Sequence, residues 1–149
     1  MKRRELLAAG AGLAMLALVR PASATPEEMA AAIRNFTGGV TPREGRVSFD
    51  IAQLIDNGNA VPVTVGVETE PGGTGHVAAI AIFNEKNPHT DVAVFTLGPR
   101  AGKAQVSTRI RLATSQRLVA IARMDDGAYW SKSVDVIVTL AACIEGEAP

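Results

Sequence analysis

The chain has 149 residues with 15 basic and 15 acidic side chains, a formal net charge of zero, two histidines and one cysteine. No basic stripe runs through it, which argues against nucleic acid or an anionic membrane as partner. One cysteine excludes an internal disulfide and supplies too few soft ligands for a structural zinc or an iron–sulfur cluster.

The chain opens Met1-Lys2-Arg3-Arg4-Glu5, continues as an apolar run from Leu6 to Val19, and reaches Ala22-Ser23-Ala24. A basic start, a short apolar core and an Ala-x-Ala site describe a secretory signal peptide over residues 1–24. A membrane-spanning helix would need roughly 20 apolar residues. Arg3-Arg4 with Leu6-Leu7 close behind reads as a twin-arginine export signal; the alternative is a general secretory signal whose basic region holds two arginines. Both readings imply export, to a bacterial periplasm. Four of the 15 basic residues (Lys2, Arg3, Arg4, Arg20) and one of the 15 acidic ones (Glu5) lie in this segment, so the other 125 residues carry 11 and 14. That remainder is mildly acidic and suits one domain with a single core.

Thr25-Pro26-Glu27-Glu28 then predicts a helix start, with threonine as cap, proline at the first helical position and Glu28 closing a capping box. Met29, Ile33 and Phe36 form one apolar stripe, and Gly38-Gly39 ends the helix, giving an element over 25–39. Whether it packs on the body or on a partner is open at this point.

From Arg46 the period changes to two. Val47, Phe49 and Ile51 alternate with polar residues, and Asp56-Asn57-Gly58-Asn59 is a turn. Val61, Val63, Val65 and Val67 mark a strand in which Pro62 belongs at the start or on an edge, because proline donates no ladder bond. Glu70–Gly75 is a loop, Val77–Asn84 an apolar strand, Glu85–Thr90 a second loop, and Val92–Leu97 the next strand. Ala104–Leu112 shows one wet face through Ser107, Arg109 and Arg111. Arg117–Met124 meets a hairpin turn at Asp125-Asp126-Gly127, and Tyr129-Trp130 opens a last strand that ends at Leu140. About seven short strands with no helices between them predict an all-β, immunoglobulin-like two-sheet sandwich over 40–140, behind one N-terminal helix.

The tail 141–149 carries the cysteine. Val134, Val136, Val138 and Leu140 share one face of the last strand, and Cys143 has the opposite parity. Flanked by Ala141-Ala142 and by Glu145 and Glu147, this thiol is expected to be exposed; the alternative is a buried cysteine acting as a small apolar residue. Three residues beyond Leu140 would carry it about 10 Å from the strand.

Other chemistry is thinly supported. His76 and His89 fall in or beside loops and read as solvated, and no base adjoins the tail to activate a nucleophile. Glu145 and Glu147 would raise the thiol pKa. A blue-copper arrangement lacks histidine and methionine after Cys143. Tyr129 and Trp130 read as core or edge packing. Arg100, Lys103, Arg109 and Arg111 could face an anionic ligand, although a solvated sheet face is the default. No catalytic, metal or cofactor-binding set emerges.

Several phrases occur in a telling order: Phe36-Thr37-Gly38-Gly39, Asn57 to Val65, Ala104 to Ala113, and Asp126-Gly127-Ala128-Tyr129-Trp130. With the twin-arginine-like start and the cysteine near the C-terminus, the chain resembles the SoxY family, the sulfur-carrier subunit of the periplasmic thiosulfate-oxidising system. The resemblance implies a protein that is not itself an enzyme. It implies that Cys143 holds sulfur intermediates covalently while partner enzymes of the Sox system add, oxidise and hydrolyse them, with no other cofactor. It also implies a heterodimer with a SoxZ-like β-sandwich. Typical members end Gly-Gly-Cys-Gly-Gly, whereas this chain reads Ala141-Ala142-Cys143-Ile144-Glu145. A second reading therefore stands beside the carrier: a SoxY-like interaction module that pairs with a partner but carries nothing.

Overall fold

The computed structural model describes residues 24–69 and 75–142; the expected signal peptide, the loop over 70–74, and the tail 143–149 with Cys143 lie outside the described residues. Helix α1 spans Pro26–Thr37. The Thr25 hydroxyl accepts from the Glu28 amide at 3.2 Å and the Glu28 carboxylate accepts from the Thr25 amide at 3.0 Å, so the capping box forms as expected. Gly38 closes the helix in the left-handed conformation at φ 63°.

Among the described residues, nine strands come after the helix: β1 Arg43–Glu44, β2 Val47–Asp50, β3 Leu54–Ile55, β4 Val61–Val67, β5 Val77–Asn84, β6 Asp91–Thr96, β7 Gln105–Ile110, β8 Gln116–Met124 and β9 Tyr129–Val138. The larger sheet runs β1-β9-β8-β5-β6, with β3 also on β9, and the smaller runs β2-β4-β7. The seven expected strands are all present within a residue or two at their ends. Two more, β1 and β3, lie parallel to opposite ends of β9 and hold two residues each. A two-residue strand has no period to read. Pro62 is the second residue of β4 and pairs only with Arg109 on β7, because pairing with β2 begins at Thr64. The missing donor therefore costs no ladder bond toward β2.

The core lies between the sheets. Val47, Phe49, Val61, Val63, Val65, Ile110 and Leu112 meet Ile80, Ile82, Leu118, Ala120, Ala122 and Val136. The outer face of β5 and β8 is covered as well: Ala81, Phe83, Val119 and Ile121 pack against Met29, with Ala32, Ile33, Phe36 and Tyr129 around them. This explains why β5 reads as a continuous apolar run, since a strand covered on both faces has no polar side. Phe36 meets Phe83 and Tyr129 edge-on at 5.8 and 6.0 Å, and the Tyr129 hydroxyl donates to the Phe36 carbonyl at 3.4 Å. The helix thus packs on the body, and its apolar stripe is spent there.

The last strand differs from expectation at its end. Strand β9 stops at Val138, and Leu140 is 60% exposed instead of sharing the buried face of Val136. Beyond Val138 the backbone leaves the ladder of β8, and its amides and carbonyls find partners on two other segments.

Candidate functional site

The chain leaves β9 beside the turn Asn57-Gly58-Asn59. The Asn57 carboxamide oxygen accepts from the Asn59 amide and side-chain nitrogen, both at 2.9 Å, which folds the turn tightly. Thr139 bolts the departing chain to the segment before this turn. Its amide donates to the Ile55 carbonyl at 2.9 Å and its hydroxyl to the Asp56 carbonyl at 3.1 Å.

Three backbone hydrogen bonds then tie three distant segments together. The Gly58 amide donates to the Leu140 carbonyl at 2.8 Å, the Leu112 amide to the Gly58 carbonyl at 2.9 Å, and the Ala142 amide to the Leu112 carbonyl at 3.0 Å. Leu112 is fully buried and Ala142 nearly so. A Cβ on Gly58 would overlap the Leu112 carbonyl oxygen and come within 3.0 Å of the Ala142 nitrogen. Gly58 is absent from the glycines with positive φ, so space and not backbone conformation requires glycine here.

The segment that carries Leu112 is itself locked by three amide side chains. Asn84, 1% exposed, donates to the His89 and Thr90 carbonyls at 2.6 and 3.2 Å and accepts from the Asn87 amide at 2.8 Å. The Asn87 carboxamide donates to the Arg111 carbonyl at 2.8 Å and accepts from the Ala113 amide at 3.0 Å. Gln116 accepts from the Lys86 amide and donates to the Asn87 side-chain oxygen, both at 2.9 Å, and to the Thr114 carbonyl at 3.1 Å. The network brackets Leu112 on both sides. Among the described residues, no buried side-chain polar atom is left without a partner.

Cys143 is the next residue after Ala142 and lies outside the described residues. Its Cα is one peptide unit, about 3.8 Å, from a pinned Cα. The 10 Å reach counted from Leu140 therefore starts from the wrong residue, because the body holds the chain through Ala142. Beside this exit, Leu54 and Ile137 pair across β3 and β9 with their side chains 62% and 61% exposed.

The other residues singled out in the sequence are scattered. His76 precedes β5 at the end far from Ala142, its Nδ1 3.1 Å from an Asp125 carboxylate oxygen. His89 sits on the loop after β5, exposed, and lends only its carbonyl to the amide network. Tyr129 faces α1, while Trp130 faces the other way and lies under the guanidinium groups of Arg43 and Arg46 at 4.5 and 4.8 Å. Arg100, Lys103, Arg109 and Arg111 are all exposed, and Arg109 lies on the wet face of β7. Among the described residues, no three His, Cys, Asp or Glu side chains form a group that could hold a metal. No helix among them is long and apolar enough to cross a membrane. Missed by the sequence reading are Gly58 as a point of close approach, the Leu112 carbonyl, and the Asn84–Asn87–Gln116 network. The available hint was an asparagine closing an otherwise apolar strand.

The fold and its exit point define a class: an all-β two-sheet sandwich with a helix laid on its larger sheet and its C-terminal segment strapped to the body. Solved structures share that fold. A superoxide reductase (neelaredoxin) from Ignicoccus hospitalis superposes with a TM-score of 0.56 at 13% identity, covering 78% of this chain and 95% of that one. A putative superoxide reductase from Thermotoga maritima gives 0.51 at 17%, covering 69% and 89%. A hypothetical protein from Pyrococcus horikoshii OT3 gives 0.51 at 15%, covering 64% and 95%. At these identities the likeness is one of fold alone. No curated protein matches the chain. The family described as sulfur oxidation protein SoxY matches residues 33–143, and the chain belongs to that family.

Proposed function

We propose that this protein is a periplasmic carrier that holds sulfur-oxidation intermediates covalently on Cys143 while partner enzymes work on them. The observation that carries the reading is that the SoxY match runs from residue 33 to residue 143, ending on the chain's single cysteine. Thiol chemistry explains the need for partners. Joining a Cys143 thiol to the outer sulfur of thiosulfate forms one S–S bond and releases one proton and two electrons, which a partner oxidoreductase accepts. Hydrolysis of the terminal sulfonate then releases sulfate and leaves a persulfide on the cysteine. The protein itself acts as a handle and not as the catalyst. A SoxZ-like subunit is the proposed partner in a heterodimer, exported with it by the twin-arginine route.

The test is mass spectrometry of protein purified from cells grown on thiosulfate. Sulfur-bearing adducts are expected on Cys143 and on no other residue, and Cys143→Ser should abolish both the adducts and thiosulfate-dependent growth. An unmodified Cys143 under those conditions removes the carrier reading. The strapped Ala142 and the Ala-Ala-Cys-Ile flank favour a second reading, a pairing module that carries nothing. Sulfur oxidation unaffected by Cys143→Ser would select it.

A further inference from the structure

We propose that Gly58 is a positioning residue: with Leu112 and Ala142 it forms a backbone clasp that sets where the C-terminal arm leaves the body. The reach of the arm is then counted from residue 143 and not from the end of β9. The clasp's purpose rests on the carrier reading, whereas its existence is testable without any sulfur cargo.

Three features converge on this assignment. The three hydrogen bonds between Gly58, Leu140, Leu112 and Ala142 link segments that are distant in sequence, and each uses backbone atoms only. A side chain of any size at residue 58 is refused by the Leu112 carbonyl, a backbone atom that is itself held by buried neighbours and cannot swing aside. The amide network behind it gives the Leu112 segment bonds on both sides, through the Arg111 carbonyl and the Ala113 amide. Rigidity is thus delivered to the residue before the cysteine. A carrier thiol must enter several active sites at one geometry, and a fixed root limits the orientations it samples. Glycines flanking the cysteine would supply freedom around the sulfur. Here alanines take the place before it, and the second of them, Ala142, is a clasp member.

Hydrogen exchange on the whole protein, with no cargo bound, tests the clasp. The Ala142 and Leu112 amides are expected to be protected in the unaltered protein. In Gly58→Ala they should exchange about tenfold faster or more, while amides of β5 and β8 keep their protection. Should Gly58→Ala fail to fold, Ala142→Pro removes the one N–H that meets the Leu112 carbonyl and leaves every strand pair in place. It should raise the Gly58 and Leu112 exchange rates by about fivefold. The same variant should speed labelling of Cys143 by a maleimide carrying a polymer chain about threefold, with little change for iodoacetamide, since only the bulky reagent feels the body. An Ala142 amide exchanging at the rate of an unstructured peptide overturns the proposal, as does Ala142→Pro leaving exchange and labelling unchanged. Adducts on Cys143 with an unprotected Ala142 would sink the clasp alone; a protected Ala142 with no adducts would sink the carrier alone.

Discussion

Asn84 shows what one buried side chain does for the rest. Its carboxamide holds the Glu85–Thr90 loop closed by donating to two carbonyls and accepting one amide. Replacing it with leucine of similar size would leave the His89 carbonyl and the Asn87 amide without their partner. The expected cost is about 2–3 kcal/mol, read as a shift in the urea midpoint at constant slope. A loss below about 0.5 kcal/mol would mean that water replaces the carboxamide without penalty. At this scale the sequence was only partly readable. Cys143 stood out through its uniqueness and its place in the family phrases. Gly58 stood out as a turn residue, but what demands glycine there is a carbonyl 54 positions away in the chain. No local pattern records such an approach.

Strands β8 and β9 carry a cross-strand ion pair whose contribution depends on acidity. Arg117 and Asp135 stand directly opposite in the register and meet twice, at 2.9 and 3.2 Å. The hydrogen bond from Arg117 holds the Asp135 carboxyl below its ordinary range, partial desolvation opposing it and the charge of Arg117 adding to it. The Arg117 guanidinium is held above its usual value by the same bond and charge. With the folded-state carboxyl depressed, the pair stabilises the protein above the unfolded aspartate pKa of about 3.9 and stops doing so as pH falls through the lower folded value. Both side chains are more than half exposed, so the effect is small and salt-sensitive. Asp135→Asn should therefore lower stability slightly at pH 7, and the difference from the unaltered protein should vanish in acid. A difference that grows as pH drops would contradict this. Elements with a clear burial pattern were legible: β4 and β7 alternate, and β5 is apolar throughout because the core covers one face and α1 the other. Strands β1 and β3 were not, because their positions are set by β9 and not by their own two residues.

Over the whole molecule, the described structure continues past the last strand. Truncation after Ala142 should leave the melting temperature unchanged within about 1 °C. Truncation after Val138 removes Thr139, Leu140 and Ala142 from their partners and should lower it by about 5 °C or more. Equal melting temperatures for the two truncations would show that these bonds add nothing to the body. The sandwich was legible as a class because turn spacing and alternation repeat along the chain. The strap that closes it was not, because it joins positions 58, 112 and 142 through backbone atoms that every residue but proline possesses. At the opposite end of β9, about 27 Å from Val138 at the usual strand rise, the single tryptophan lies beneath two guanidinium groups. Its fluorescence is consequently a reporter of the β1–β9 edge, nearly the full length of β9 away from Val138. A subunit whose arrival changes that emission is one that touches this edge, so light alone can report whether a partner covers β1 and its two arginines.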